Sequence, residues 1–313
     1  MSTALVEPAP VQVITSDRPD SYRDKVVYTY EPRAEELWEK ALGGENLSFQ
    51  FGLFDQDELD QGPAPGPLGP SEYRHFEKQL KLAGLTGPNR PKVNRILDLG
   101  CGWGSISRFM ADHFEECQRI DAINISPSQV DYFAARMSDD LKRRVNLFLC
   151  NGQDIDLLPD PEVPYDLVIV RGVYAHCQSS VFEASLASVA KRLAPTGTLI
   201  ISDCFYNQLE GYESAIPDTV DRLACGNRKT LDYLLRAMAK CRLKVADLQQ
   251  LPSNAEGIHW ADMVRLNVEQ HFPEPREGVI DELHVMMQNL AAVFAKDKLS
   301  IFSIIARPVC PGR

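Results

Sequence analysis

The chain carries the stretch Ile96-Leu97-Asp98-Leu99-Gly100-Cys101-Gly102-Trp103-Gly104-Ser105. The apolar residues around Asp98 predict a buried β-strand, and the three alternate glycines after it allow a sharp turn in which the backbone lies against a ligand. A dinucleotide-binding fingerprint requires glycine where Ser105 stands, and a phosphate-binding P-loop requires a Gly-Lys-Ser/Thr ending. The pattern that remains is Asp-x-Gly-x-Gly-x-Gly. The alternative to a binding loop is a glycine-rich strand-to-helix turn without a ligand.

This pattern resembles motif I of the class I methyltransferases that depend on S-adenosylmethionine (SAM). The later stretch Ala122-Ile-Asn-Ile-Ser-Pro-Ser-Gln129 is similar to one subgroup, which includes relatives of cyclopropane fatty acid synthase, geranyl diphosphate C-methyltransferases and methyltransferases of sugar and macrolide tailoring. The resemblance runs from about residue 28 to residue 308 and is strongest over 93–203. It implies an α/β, Rossmann-like fold whose seven-stranded, mostly parallel sheet has helices on both faces, with SAM as the cofactor.

Composition narrows the class of partner. The 33 Lys and Arg residues face 44 Asp and Glu, a formal net charge of -11. Since phosphate binding requires a concentrated basic surface, we expect no nucleic-acid partner. The eight cysteines form no C-x-x-C pair and no zinc-like cluster with histidine, so no metal is expected. No signal-peptide core or membrane-length apolar run occurs, which predicts a cytoplasmic protein without membrane insertion.

Three regions follow from the pattern along the chain. Residues 1–22 lack periodicity and are predicted to be a flexible tail, and residues 23–90 form an N-terminal helical and aromatic cap segment. From 91 to 313 strands alternate with helices, as in a parallel sheet covered on both faces. Two connections in this domain, near 204–229 and 252–297, are longer than simple loops. We expect them to supply lids and substrate contacts.

In an open parallel sheet the residues after successive strands converge on the ligand. After the first strand these are Asp98, Gly100, Cys101, Gly102 and Gly104, beside the methionine part of SAM. Asp98 is expected to bind the amine directly or through water, and its alternative role, capping the turn, is compatible with this. After the second strand the resemblance implies a carboxylate for the ribose hydroxyls, and here an amide, Asn124, occupies that place beside Ile125. Gln129 has two available roles, a helix cap or a ligand contact.

After the third strand the resemblance implies contacts to adenine from Asn151, Gly152, Gln153 and Asp154. The carboxylate of Asp154, or the side chain of Asn151 in a shifted register, accepts from the exocyclic amine; alternatively these are solvated turn residues. After the fourth strand stands Arg171, whose guanidinium suits a carboxylate of SAM or of a neighbouring side chain.

Methyl transfer requires alignment, and a base where the acceptor loses a proton. His176 is the candidate base, with a structural hydrogen-bonding role as its alternative. The subgroup often has a Glu-His pair here, but this chain has Ala175-His176, which disfavours cyclopropane-synthase chemistry. Aromatic side chains are expected to line an apolar substrate chamber or else to be core, and the substrate candidates are Tyr30, Phe51, Tyr174, Tyr206, His259 and Trp260.

The sequence thus predicts a SAM-dependent methyltransferase of specialised, natural-product metabolism that acts on a small, largely apolar metabolite. Transfer to oxygen is favoured over transfer to carbon because His176 offers a base. The alternatives are an enzyme of the same fold that uses SAM in a cyclisation or rearrangement without methyl transfer, and a SAM-binding regulatory protein. The oligomeric state stays open, a homodimer included.

Overall fold

The computed structural model describes residues 9–21, 23–30, 34–44, 47–209 and 227–309. In this part of the chain eight strands form a single sheet in the order β1-β4-β3-β2-β5-β6-β8-β7. The strands are β1 (Val11–Val13), β2 (Arg95–Leu99), β3 (Arg119–Asn124), β4 (Val145–Leu149), β5 (Tyr165–Arg171), β6 (Leu193–Tyr206), β7 (Leu243–Gln250) and β8 (Leu299–Pro308).

The first six of these strands pair in parallel, and β8 pairs antiparallel to both β6 and β7. The chain builds the sheet outward from β2 in one direction and then returns to add β5 on its other side. The reversal of strand order beside β2 is the topological switch point, where open α/β sheets bind ligands. The Rossmann-like α/β prediction is confirmed, and the glycine turn after β2 lies at this point.

The strand count differs by one from the predicted seven because part of the expected flexible tail joins the sheet. Val11 and Val13 pair with Leu147 and Leu149 at the open edge of β4, and the next amide, of Ile14, donates to Leu149 O at 3.0 Å. Three residues are too few to show a strand period, so β1 has no periodic signal in the sequence. Residues 1–8 and 22 of the predicted tail lie outside the described residues.

Helices cover both faces of the sheet and its carboxyl end. Those along the faces include α4 (Gly69–Leu82), α5 (Ser105–His113), α6 (Pro127–Ala135), α7 (Asp139–Arg144), a 3-10 helix (Gly152–Leu157), α8 (Ser179–Arg192) and α9 (Leu231–Lys240). The remaining described helices are α1 (Arg23–Thr29), α2 (Ala34–Ala41), α3 (Gln56–Gln61), α10 (Asn254–His271) and α11 (Gly278–Ala295).

The predicted connection 252–297 is the helical pair α10 and α11, which packs on α2. These helices and residues 47–54 contribute to an apolar cluster that also includes Trp103 of the glycine turn and contains Trp38, Trp260 and Met287. Of the other predicted connection, residues 210–226 lie outside the described part of the chain. None of the described helices is both long enough and apolar enough to cross a membrane.

Candidate active site

The glycine turn between β2 and α5 is built from three residues in the left-handed region, with φ of 80° at Gly100, 55° at Gly102 and 85° at Gly104. A Cβ atom at Gly100 would lie 2.3 Å from Val173 Cγ2, and one at Gly104 would lie 2.3 Å from the ring of Phe133. Packing therefore requires glycine at these two positions. A Cβ at Gly102 would meet nothing nearer than Gln129 Nε2 at 4.0 Å.

Gly102 faces a cleft at the carboxyl ends of β2 to β5, whose space not filled by protein atoms, its open mouth included, is about 1110 Å³. The strand ends converge there as the sheet topology predicts. The predicted residues in its wall are Asp98, Gly100, Cys101, Gly102, Asn124, Ile125, Gln129, Asn151, Gly152, Arg171, His176 and Tyr30.

The cleft wall contains two buried side chains of opposite charge. Asp98 and Arg171 are 3% and 9% exposed. Burial raises the pKa of Asp98 to about 6, although Ser107 Oγ donates to its carboxylate at 2.6 Å. Burial also lowers the pKa of Arg171, to about 10, which leaves the guanidinium protonated at neutral pH. Its Nε and Nη1 atoms are buried and have no hydrogen-bond partner among the described residues, so Arg171 retains donors that a ligand can use.

Two amides form the wall after β3. Asn124 Nδ2 donates to Gln129 Oε1 at 2.7 Å, and Asn124 Oδ1 accepts from the amide of Ile125 at 2.8 Å. The helix cap is supplied by Ser126, whose hydroxyl accepts from the backbone of Gln129. The Gln129 side chain is therefore engaged with Asn124 at the cleft rather than with the start of α6.

Gln153 and Asp154 do not line the cleft, contrary to the sequence interpretation, because the N-terminal segment covers them. Asp154 Oδ1 accepts from Ser16 Oγ at 2.7 Å and lies 3.3 Å from Arg18 Nη1. Gln153 Nε2 donates to the backbone oxygen of Arg18 at 3.2 Å. Gly104 also lies outside the wall, packed on Phe133.

A second cavity, here called the acceptor chamber, adjoins the cleft. Its free space is about 590 Å³, and it shares five wall residues with the cleft, namely Tyr30, Phe49, Gln50, Gly172 and His176. The rest of its wall consists of Phe51, Ala175, Asp203, Cys204, Trp260, Met286, Met287 and Leu290. The aromatic rings of Tyr30, Phe49, Phe51 and Trp260 line it. The ring centroids of Phe49 and Phe51 lie 5.1 and 4.9 Å from the Trp260 ring.

His176 stands where the two cavities meet. Its amide donates to Val173 O, and its carbonyl accepts from Asn227 Nδ2 at 3.0 Å. Burial, aided by the nearby Lys229 ammonium, lowers the pKa of the imidazole to about 4. The ring is therefore neutral at pH 7, and its Nδ1 atom is buried without a hydrogen-bond partner in the described structure.

Three expected substrate contacts lie elsewhere. Tyr174 is fully buried in the core, edge-on to Phe182, and its hydroxyl lies 3.4 Å from Ser185 Oγ. Tyr206 is buried outside both cavities, and His259 packs on Phe54, with 4.4 Å between ring centroids. Aromatic residues of the core and aromatic residues of a cavity wall look alike in a sequence. The sequence pattern therefore could not show which of them line the chamber.

Sequence reasoning also missed several residues of the site. Asp20, Arg23 and Val26 come from the predicted tail and the start of the cap, yet they line the cleft. Glu72 on α4 lies behind the chamber, 1% exposed, where it accepts from Trp260 Nε1 at 3.1 Å and from the amide of Gln50 at 3.3 Å. A carboxylate on the apolar face of a helix was the available signal for Glu72; for the others, no local signal existed.

Comparison with known proteins gives the type of domain. Residues 96–197 match the family model described as a methyltransferase domain. Tocopherol O-methyltransferase of Arabidopsis thaliana, a chloroplast protein, is 30% identical over 186 residues, which make up 58% of this chain and 49% of that protein. The chain thus spans about half the length of this curated relative.

Solved structures show that the resemblance of fold extends over nearly the whole chain. The mycolic acid cyclopropane synthase CmaA1, in a complex with S-adenosylhomocysteine (SAH), has a TM-score of 0.72 at 15% identity, over 93% of this chain and 99% of that chain. The [4+2]-cyclase SpnF has a TM-score of 0.64 at 17% identity, over 97% and 100% of the two chains. At these identities the likeness shows the class I methyltransferase fold and does not distinguish between reactions.

SAM is the cofactor that the sequence motif and the domain family indicate, and the cleft residues suit it chemically. The buried carboxylate of Asp98 and the buried guanidinium of Arg171 are opposite in charge to the ammonium and the carboxylate of an amino acid. Apolar wall residues at the ends of β3 and β4, namely Ile123, Ile125 and Cys150, suit the faces of a flat base. Gly102 leaves the turn open to close approach by a ligand.

Proposed function

We propose that this chain transfers the methyl group of SAM to a small, largely apolar metabolite. The observation that carries the proposal is the acceptor chamber, which adjoins the cleft and shares five wall residues with it. Bound there, an acceptor lies beside the cofactor and away from water, which is the proximity that a displacement reaction requires.

The chamber favours an apolar acceptor because two polar side chains in its wall, Gln50 and Asp203, are already engaged. Gln50 Nε2 donates to the backbone oxygen of Ser202 at 3.0 Å. Asp203 accepts three backbone hydrogen bonds, from Val173, Ala175 and Cys204, at 2.9 to 3.1 Å. The remaining surface is mostly aromatic, methionine and leucine, and burial of apolar area there stabilises a complex by roughly 25 cal/mol per Å².

We further propose that the methyl group is transferred to oxygen, with His176 as the base. When bound, SAM supplies a methyl group on a sulfonium, whose sulfur keeps the electron pair of the broken carbon–sulfur bond. The neutral imidazole of His176 accepts a hydrogen bond from the acceptor hydroxyl and then its proton. A base with a pKa of about 4 is sufficient because the hydroxyl becomes strongly acidic as its oxygen bonds to the methyl carbon.

In the cleft, Asp98 is proposed to hold the ammonium of the methionine part and Arg171 to hold its carboxylate. The amides of Asn124 and Gln129 are proposed to serve the ribose hydroxyls. These are neutral hydrogen bonds, weaker than those of a carboxylate.

The test is incubation with SAM labelled in its methyl group and a panel of aromatic alcohols and alkenes of matched size. We expect equal amounts of labelled ether and SAH from an alcohol, and no product from the variant Asp98→Asn. Labelled product from alkenes alone would contradict transfer to oxygen. Conversion of a substrate without label in the product would instead support the cyclisation or rearrangement alternative.

A further inference from the structure

Residues 49–51, here called the shared wall, pack against α4 and contribute to both cavities. Two buried side chains three residues apart, and therefore on one face of α4, hold the backbone of this segment. Glu72 Oε1 accepts from the amide of Gln50 at 3.3 Å, and His75 Nδ1 donates to the carbonyl oxygen of Phe51 at 2.8 Å. Because a carbonyl oxygen only accepts, Nδ1 carries the hydrogen in this contact.

The chain directly after the shared wall is also pressed onto α4. A Cβ atom at Gly52 would lie 1.9 Å from Ser71 Oγ, so packing requires glycine there. The amide of Leu53 donates to Ser71 O at 2.9 Å, and Arg74 Nε donates to Leu53 O at 2.9 Å. Because close packing leaves little free space, the position of the shared wall is set by the side chains that α4 presents to it.

The same oxygen of Glu72 also holds a chamber residue from a distant part of the chain. Trp260 on α10 lines the chamber, and its Nε1 donates to Glu72 Oε1 at 3.1 Å. Glu72 and Trp260 are each 1% exposed, so bulk water does not replace this hydrogen bond. One carboxyl oxygen therefore fixes the indole relative to the shared wall, whose two phenylalanine rings pack on it.

Resting on the proposed function, we propose that Glu72 is a positioning residue that determines which acceptors the chamber binds. Glu72 lines neither cavity, and it acts through the Gln50 backbone and the Trp260 indole. A buried carboxyl group is costly unless it is hydrogen-bonded, and here its hydrogen bonds go to residues of the chamber wall. Without Glu72 Oε1, two buried N–H groups lose their acceptor. We expect the indole and the shared wall to shift in response, which changes the shape of the chamber.

Three variants separate this role from a general role in packing. Glu72→Leu keeps a side chain of similar size and removes the acceptor, Glu72→Gln keeps an acceptor oxygen, and Gln79→Leu is the matched control. Gln79 also lies on α4, is fully buried, donates to Ser303 Oγ at 2.9 Å and lines neither cavity. Isothermal titration of 2-naphthol into the SAH-loaded chain measures binding to the chamber, and titration of SAH measures binding to the cleft.

Glu72→Leu should bind 2-naphthol about tenfold more weakly, as expected when buried donors lose their acceptor, while its affinity for SAH stays the same. Glu72→Gln and Gln79→Leu should bind both ligands as the unaltered chain does. Unchanged 2-naphthol binding by Glu72→Leu would overturn the proposal. An equal loss of 2-naphthol binding in Glu72→Gln or in Gln79→Leu would do the same, because the acceptor oxygen would then not be the cause.

Nuclear magnetic resonance gives a second test that needs only the near-isosteric variant. The indole N–H signal of Trp260, identified by its absence from Trp260→Phe, should shift in Glu72→Gln, where an amide oxygen replaces a carboxyl oxygen, and stay in place in Gln79→Leu. A signal that does not move in Glu72→Gln would overturn the proposal even if Glu72→Leu failed to fold. An unaltered chain that binds no SAH, or SAH but no 2-naphthol, would refute the proposed function and this role of Glu72 with it. That result is distinguishable from the others because it precedes any substitution.

Discussion

Gly102→Ala tests whether the glycine turn holds a ligand or is only a turn. Gly102 has a φ of 55°, and a Cβ atom there meets no atom closer than 4.0 Å. The cost to folding is therefore limited to the left-handed backbone, about 1 to 2 kcal/mol for a residue other than glycine. The added methyl group enters the cleft, where overlap with a ligand seated against the turn costs a further 1 to 3 kcal/mol or so. We expect SAH affinity to fall about ten- to hundredfold.

Gly84→Ala is the matched control. Gly84 ends α4 with a φ of 73°, has open space around its Cβ position and lies outside both cavity walls. It should show the same loss of stability as Gly102→Ala and unchanged SAH binding. Gly104→Ala should be less stable than both by about 1 to 3 kcal/mol, because its Cβ would lie 2.3 Å from the Phe133 ring and the core must shift.

Urea denaturation gives the stability of each variant, and isothermal titration gives its affinity for SAH. Equal SAH binding by Gly102→Ala and Gly84→Ala would refute the view that a ligand presses on the turn. A large stability loss in Gly102→Ala alone would show that the turn is packed more tightly than its 4.0 Å clearance indicates.

Three further predictions follow from the same geometry. His176→Gln should lower kcat by on the order of 100-fold, the usual size of a base contribution; a loss below about threefold would show that His176 is structural. Ala175→Leu, which adds bulk to the chamber and not to the cleft, should raise KM for the acceptor while SAH binding stays the same; weakened SAH binding would contradict the separation of the two cavities. Burial raises the pKa of Glu72 from 4.5 to about 7, so the folded state holds a proton that the unfolded state loses, and stability falls as pH rises through this window. The free energy of unfolding should fall by about 3 kcal/mol over this range, and Glu72→Gln should remove this pH dependence. Urea denaturation from pH 4.5 to 8 measures it for both proteins. The same pH dependence of stability in variant and parent would contradict the prediction.

The sheet and the turn were predictable because their signals are local. Each buried strand is a short apolar run, and the turn of residues 98–104 needs glycine where its neighbours press on the backbone, as at Gly100 and Gly104. By contrast, the position of Asp154 is decided by Arg18, about 135 residues earlier in the chain. A contact between residues so far apart in the chain leaves no local sequence pattern. The motif therefore places Asp154 after the correct strand but cannot show that it lies outside the cleft wall.

The walls of the two cavities come mainly from different parts of the chain, so different features of the sequence decide their shapes. The cleft is built mainly by strand ends within residues 96–197, so its contacts follow from the sheet topology. The chamber is built mainly by residues 49–51, α10 and α11, whose positions depend on tertiary packing. Glu72 joins these parts, because its carboxylate holds both the Gln50 backbone and the Trp260 indole. Under the proposed function, packing outside residues 96–197 therefore decides which acceptor fits, which explains why the glycine turn indicates the cofactor and leaves the acceptor open.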